Sequence, residues 1–335
     1  MTVTGQVVGE YRVPTEELRA VIKDAVPADQ RTCVESAQFR RTTSCYSTSF
    51  RLEEIDVELE GGQVLELMFK DFDQRALLDE ARGVRAFSSH SATREIDVYR
   101  HVLSLSGLQS AHCLAALHGE RDTRCWLLLE RVPGRELYQV GDVSIWCDVA
   151  SALARMHGRF STRWSALPAS LLHYDADHYR AWLTRALRFT DGAGIRRLAA
   201  GYDAVIERLL TLPLTFIHGE LYASNVLVDD SRRPVRVCPI DWEMAAIGPG
   251  LIDLAALTSG NWTDDQRAQI CSSYRSAIEG EDVALGSEEF DDALALCRLH
   301  VCVQWLGWAP EWTPPKEHVH DWLGEALLLL DQVSV

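Results

Sequence analysis

The sequence predicts an α+β fold of two lobes, β-rich in its first part and mainly helical in its second. Between Tyr46 and Phe72 apolar and polar residues alternate, which is the period of a β-strand. Beyond Gly134 apolar residues recur every three or four positions, which is the period of an α-helix. We therefore divide the chain into a first lobe of residues 1–133 and a second lobe of residues 134–335.

Four elements are predicted in the first lobe. They are a helix over 18–25, a hairpin over 55–69 that turns at Gly61-Gly62, a helix over 94–103 and a buried strand over 126–130. On the second strand of the hairpin, Met68 and Lys70 share the face opposite Leu67 and Phe69.

The second lobe is predicted to hold five helices and a short hairpin. The first helix carries the apolar stripe from Ile145 to Met156 and is expected to end at His157-Gly158, because Gly suits a C-cap. The other helices are expected over 177–190, 195–210, 264–279 and 288–306, and the two strands over 225–228 and 235–240.

Composition restricts the function classes. A 335-residue chain that is 47% hydrophobic can bury a large core, which excludes a disordered tail or a small disulfide scaffold. Nine scattered cysteines without a C-x-x-C pair predict reduced thiols and no zinc site. No apolar run approaches the roughly 20 residues that span a bilayer, so we expect a cytoplasmic protein that binds no membrane.

The charge balance argues against nucleic acid as a partner. With 49 acidic and 33 basic residues, the net charge of −16 repels phosphate backbones. A cationic or neutral small molecule suits this charge better, but an acidic surface that only keeps the protein soluble is the more common explanation of such a charge. The oligomeric state is left open by the sequence.

The residues that predict chemistry lie between His218 and Asp253. Glu220 and Asn225 stand five positions apart on a loop before a strand, and Asp241 ends the strand that pairs with it. Folding of this hairpin is expected to bring the three side chains to one rim. Carboxylate and amide oxygens suit Mg²⁺, which keeps water and substrate phosphates in its other coordination positions. Such a rim predicts a site for a nucleoside triphosphate.

This stretch resembles the H-G-D-x-x-x-x-N catalytic loop and the I-D-W or I-D-F metal motif of aminoglycoside phosphotransferases and choline kinases, which have a protein-kinase-like fold. In the first lobe, Lys70 takes the strand position of the family's phosphate-binding lysine, and Glu95 that of its helical partner. The segment 127–134 is similar to the family's hinge, where backbone groups, here those of Glu130 and Val132, meet the base.

The resemblance implies an ATP- or GTP-dependent transfer of a phosphoryl group to the hydroxyl of a small molecule. Lys70, held by Glu95, is expected to contact the α- and β-phosphates, and Asn225 with Asp241 to hold Mg²⁺. Glu220 is expected to orient and deprotonate the acceptor. Met68 is expected to lie against the nucleobase or to be an ordinary core residue; both interpretations are kept.

The sequence departs from the family pattern in three ways. Glu220 stands where the family has Asp, the segment 42–49 expected over the phosphates lacks glycine, and the interval from Lys70 to Glu95 is long. A catalytically silent module that binds a nucleotide or a partner is therefore the alternative. The acceptor is also open: three tryptophans and Glu311 within 304–312 suit a cation, or the tryptophans are core.

Overall fold

A computed structural model of the chain describes residues 11–45, 50–78, 91–119, 122–231, 233–279, 287–308 and 319–333. The described residues group into two compact units. The first lies within Met1–Ile96 and His112–Arg131, and the second within Asp97–Ala111 and Val132–Val335. The predicted α+β fold, with a β-rich first part and a helical second part, is confirmed. The lobe boundary at residue 133 stays a prediction.

The first unit is built on a five-stranded antiparallel sheet with the order β1-β2-β3-β5-β4. Its strands are β1 Gln38–Thr43, β2 Leu52–Glu58, β3 Val64–Asp71, β4 Cys113–Gly119 and β5 Asp122–Glu130. Two helices precede the sheet, α1 Thr15–Ala25 and α2 Arg31–Ser36.

Alternation places the apolar residues of β2 and β3 on one face, as the sequence predicts. Ile55, Val57, Leu67 and Phe69 are buried in one cluster with the apolar face of α1. The opposite face of β3 is left for Met68 and Lys70. The core of this unit therefore fixes which way the lysine points.

The predicted helix over 94–103 is interrupted by a π-helical turn. α3 Arg94–Asp97 leads into the π-turn Val98–Val102, which is followed by α4 Leu103–Ser106. The apolar side chains on both sides of this turn remain buried. The wider turn shifts the register, and such turns occur often at functional sites.

The second unit is mainly helical. Its long helices are α5 Val143–Phe160, α6 Ala176–Phe189, α7 Ala193–Leu209, α8 Leu251–Leu257, α9 Asp264–Ile278, α10 Ser287–Trp308 and α11 Trp322–Val333. None of the helices in the described parts of the chain combines the length and the apolar character that crossing a membrane requires.

Six short strands form two three-stranded sheets in this unit, with the orders β10-β9-β6 and β7-β11-β8. They are β6 Arg135–Glu136, β7 Leu172–His173, β8 Leu214–Ile217, β9 Val226–Asp229, β10 Arg236–Pro239 and β11 Ala246–Pro249. The predicted hairpin corresponds to β9 and β10. These two sheets carry the loops on which the candidate site is built.

The predicted end of α5 at His157-Gly158 is wrong, because the helix continues to Phe160. The Phe160 ring is buried and meets the Phe216 ring edge-on at 5.4 Å. This packing offsets the cost of a glycine inside a helix, which is about 1 kcal/mol relative to alanine. Tertiary contacts thus override the local signal.

Gly134 has a backbone that only glycine tolerates. Its φ is +121°, and a Cβ atom there would lie 2.2 Å from the carbonyl oxygen of Val228. The next residue, Arg135, pairs with Val228 across β6 and β9. The close approach of these two backbones therefore depends on the missing side chain.

We expect Gly134→Ala to lower the free energy of unfolding by about 2 kcal/mol or more, because it combines a strained φ with a backbone clash. Gly141→Ala is the matched control, since a Cβ there meets nothing within 4 Å. Urea unfolding of both variants measures the difference. Equal midpoints for the two variants would contradict this account of Gly134.

Candidate active site

Lys70 and Glu95 form an ion pair in the first unit. Lys70 Nζ lies 2.6 Å from Glu95 Oε2, and the two side chains are 13% and 3% exposed. The strand β3 and the helix α3 bring them together in spite of the long interval in the sequence. Removing two charges from water is costly, so a buried ion pair does not by itself indicate a gain in stability. It suits a lysine whose ammonium group is held in place for a ligand.

The other predicted nucleotide contacts lie on or after the same sheet. Met68 is half-buried on the Lys70 face of β3, opposite Leu129 of β5. The backbone N–H of Glu130 donates to His112 O at 2.8 Å, so a base contact by Glu130 would use its carbonyl. Val132 follows the strand and is partly exposed.

In the second unit, the carboxylate of Asp253 holds the backbone of the candidate catalytic loop. Its Oδ2 accepts the N–H of His218 at 2.7 Å, and its Oδ1 accepts the N–H of Gly219 at 2.9 Å. His157 Nε2 lies 3.3 Å from the same Oδ2. Asp253 is fully buried at the start of α8, and these polar partners compensate for burial of its charge.

His218 supports the loop as a neutral imidazole. Burial lowers the pKa of His218, and this effect outweighs the Asp253 charge, which raises it. Its Nε2 lies 2.8 Å from the carbonyl of Ile240, and its Nδ1 faces the N–H of Glu220 at 3.4 Å. An Nε2–H tautomer satisfies both contacts. The ring thus joins the loop to the end of β10.

Gly219 and Tyr174 fix the loop from behind. Gly219 has a φ of +85°, and a Cβ there would lie 2.3 Å from the carbonyl oxygen of Met244. Tyr174 Oη donates to the carbonyl of Gly219 at 3.3 Å and accepts from Gln304 Nε2 at the same distance. The loop has little freedom to shift before Glu220.

Glu220 and Asn225 are joined within the loop. Asn225 Nδ2 donates to the carbonyl of Glu220 at 2.9 Å, which turns the Asn225 amide oxygen away from the loop backbone. The side chain of Glu220 is only partly buried, and its Oε1 accepts from the indole Nε1 of Trp308 at 3.2 Å. The loop therefore presents one carboxylate and one amide oxygen.

Asp241 stands at the same end of the β9–β10 hairpin. Val226 pairs with Pro239, and the N–H of Ile240 donates to the carbonyl of Asn225 at 2.9 Å, so Asp241 follows directly beside the loop. Its backbone is left-handed, with φ 61° and ψ 63°. It is the sole non-glycine residue with positive φ in the described ranges. Strained backbones of this kind cluster at functional sites.

The donor set of Asn225 and Asp241 fits Mg²⁺ only in part. One amide oxygen and one carboxylate are hard ligands of the right type, and water and phosphate oxygens supply the rest of such a shell. Within the described residues, no three His, Cys, Asp or Glu side chains gather into a metal site of their own. This arrangement matches a metal that arrives with a nucleotide.

Some predicted features fall outside the described residues. Residues 46–49 of the segment 42–49, and Glu311 with Trp312, belong to them. Trp305, which is described, packs its ring against Tyr222 at 4.5 Å and stacks on Trp322 at 5.0 Å.

Sequence reasoning did not find Tyr174 at the site, and it considered Trp308 as one of three tryptophans that suit a cation, not as a partner of Glu220. Tyr174 lies 45 positions before Gly219 in the chain, and Trp308 lies 88 positions after Glu220. No local pattern ties either residue to the loop. The spacing of Trp305 and Trp308 on one helix was the available signal, and it did not reveal the Trp308 contact.

Comparison with known proteins establishes the family. A family model described as the phosphotransferase enzyme family matches residues 57–284, which is more than half of the chain. The chain belongs to this family. No curated protein sequence matches the chain significantly.

Solved structures of small-molecule kinases share the fold. A choline kinase from Cryptosporidium parvum has a TM-score of 0.61 at 16% identity, covering 96% of this chain and 94% of that one. A microcompartment-associated aminopropanol kinase has 0.56 at 16%, covering 89% and 90%. The GDP complex of an aminoglycoside 2′-phosphotransferase has 0.55 at 15%, covering 89% and 93%. The chain is similar to these proteins in fold.

We expect Asp253→Asn to disturb the loop, because an amide offers one acceptor oxygen where the carboxylate offers two. One buried backbone N–H then lacks a partner, which costs about 1–3 kcal/mol of stability. Chemical denaturation checks this, with Asp203→Asn as the control, since Asp203 pairs with Arg180 on the surface. An Asp253→Asn variant as stable as the control would show that the carboxylate does not hold the loop.

Proposed function

We propose that the protein is a Mg²⁺-dependent kinase that transfers the γ-phosphoryl group of ATP or GTP to a hydroxyl of a small molecule. The observation that carries the proposal is the loop in which Asp253 fixes the backbone and the Glu220 carbonyl holds the Asn225 amide. It holds Glu220, the proposed base, and Asn225, a proposed metal ligand, on one segment beside Asp241. Family membership supports the same reaction class.

The proposed roles follow from the chemistry of phosphoryl transfer. The transition state is loose and its charge is spread over the transferred group, so the protein mainly positions the reactants and neutralises charge. Lys70, held by Glu95, binds the α- and β-phosphates. Asn225 and Asp241 hold Mg²⁺, which supplies positive charge at the phosphate oxygens when it is bound.

Glu220 acts as the general base in this proposal. Its carboxylate accepts the proton of the acceptor hydroxyl, and the resulting oxygen forms a bond to the γ-phosphorus. The bond from that phosphorus to the bridging oxygen of the β-phosphate breaks, and the nucleoside diphosphate leaves. Met68, Glu130 and Val132 are proposed to contact the base.

The acceptor is proposed to be an amino alcohol, an aminosugar or an aminoglycoside. The net charge of −16 favours a cation, and proteins of this fold include kinases of choline, aminopropanol and aminoglycosides. A cytoplasmic location is proposed as well. The nine cysteines, all in described parts of the chain, form no disulfide, which is consistent with a reducing compartment.

The second candidate function is a catalytically silent module that binds a nucleotide. It is favoured by Glu220, which is one methylene longer than the Asp of the motif it resembles. A displacement of about 1 Å in an active site can cost about 10²-fold in rate.

We expect Mg-ATP or Mg-GTP to raise the thermal unfolding midpoint, because a ligand that binds only the folded state stabilises it by mass action. The shift of the unfolding midpoint should be lost in the double variant Lys70→Met with Glu95→Gln. This variant removes both charges of the pair, so that neither remains without the other. Lys23→Met with Glu35→Gln removes an exposed pair and is the matched control. If neither nucleotide at millimolar concentration moves the wild-type midpoint, the kinase proposal loses its main support.

We expect Glu220→Gln to lower kcat about 10²-fold or more with nucleotide binding unchanged, since the amide keeps the length and cannot accept the proton. Product formation is measured by mass spectrometry with Mg-ATP and choline, aminopropanol and kanamycin as probes. Equal rates for wild type and Glu220→Gln would remove Glu220 as the base. If the protein is instead a catalytically silent module, the wild type is inactive and Glu220→Asp gains activity.

A further inference from the structure

The Trp308 indole contacts the residue at which this chain departs from the motif it resembles. Its Nε1 donates to Glu220 Oε1 at 3.2 Å. We propose that Trp308 is the positioning residue that fixes the Glu220 carboxylate and makes the longer side chain functional at this position. The inference rests on the proposed function, because it assigns a partner to the proposed base.

The loop backbone does not by itself fix the carboxylate. The Asp253 contacts hold the chain at His218 and Gly219, and therefore the Cα of Glu220. A glutamate side chain has three rotatable bonds beyond that point, one more than aspartate. The Trp308 N–H is one contact that restricts the end of this arm.

Trp308 is itself held by contacts other than the one with Glu220. Its ring packs against Trp182 of α6 at 5.0 Å, and the guanidinium of Arg185 lies 5.6 Å from the ring centre. Arg185 Nε donates to the carbonyl of Gly307 at 2.5 Å. A Cβ at Gly307 would lie 2.9 Å from the Trp182 ring, so the two helices approach closely here. The position of the indole is thus set by α6 and α10, independently of the loop.

The chemistry of the contact favours the ionised base. An indole N–H donates and cannot accept, so its hydrogen bond to a carboxylate stabilises the charged form. An aspartate at position 220 would withdraw the carboxylate by roughly 1 Å or more and lose the same contact. Glu220→Asp and Trp308→Phe therefore remove one shared interaction.

A double-mutant cycle tests the coupling with the full-length chain, Mg-ATP and the three acceptor probes. Each single variant is expected to lower kcat roughly 10-fold to 10²-fold, the range for a lost hydrogen bond to a charged group. If the contact is shared, the double variant falls little below the slower single variant. The KM for Mg-ATP should stay within about twofold, because the contact lies at the proposed base and not at the proposed nucleotide contacts.

Trp262→Phe is the matched control. Its indole also donates a hydrogen bond of 3.2 Å from a part-buried position, but the acceptor is the carbonyl of Ser259. This variant loses a comparable bond outside the loop. Its kcat should match that of the wild type.

A second measurement, by NMR, requires no substrate and does not depend on whether the Trp308→Phe variant folds. At a fixed pH, the indole ¹H–¹⁵N signal of Trp308 should shift between the wild type and Glu220→Asp, which withdraws the acceptor oxygen, and it should shift in Glu220→Gln as well. The signal that meets both conditions is assigned to Trp308, and its loss in Trp308→Phe checks the assignment where that variant folds.

The outcomes distinguish failure of the proposed function from failure of the proposed Trp308–Glu220 contact. Multiplicative effects of Glu220→Asp and Trp308→Phe on kcat overturn the proposal, as does the absence of any indole signal that responds to Glu220. If the wild type phosphorylates none of the probes while an indole signal follows Glu220, the proposed function fails and the anchoring contact stands. Coupled kcat effects together with a responsive indole support both.

Discussion

The second unit depends on one buried carboxylate. Asp253 has no exposed surface, and its two oxygens accept two consecutive backbone N–H groups of the loop and face His157 of α5. His157 in turn contacts the hydroxyl of Tyr274 in α9 at 2.8 Å. A carboxylate at this depth without polar partners would be very costly, so the polar groups around it must keep their places. The packing of the helices and the shape of the loop therefore depend on each other through Asp253.

The candidate site divides into parts fixed by backbone and parts fixed by side chains. Asp253, Gly219 and the β9–β10 ladder set where the loop runs. The reach of Glu220 is set separately by an indole on a distant helix. Such a separation allows the length of the base to change while the scaffold beneath it stays the same, provided that a donor meets its new position.

The sequence predicted those features that a local pattern encodes. Alternation over β2 and β3 predicted the buried face and hence the direction of Lys70, and the loop and hairpin around Asn225 predicted that Glu220, Asn225 and Asp241 lie at one end of the hairpin. The end of α5 was predicted wrongly, since a glycine is locally unfavourable in a helix and the burial of Phe160, which outweighs it, is a tertiary contact. The Trp308 contact had no local signal either, because helix packing against Trp182 and Arg185 creates it. The nucleotide, metal and acceptor roles remain proposals that were made from the resemblance.

The left-handed backbone of Asp241 indicates that this position requires the aspartate side chain and not only the turn. Glycine would adopt the same φ and ψ without strain, and a chain that needed only the turn would be more stable with glycine. The aspartate therefore carries a conformational cost that the fold alone does not require. Relatives that have lost any need for this carboxylate are expected to drift to glycine here, so the identity of this one residue would sort working members of such a family from decayed ones.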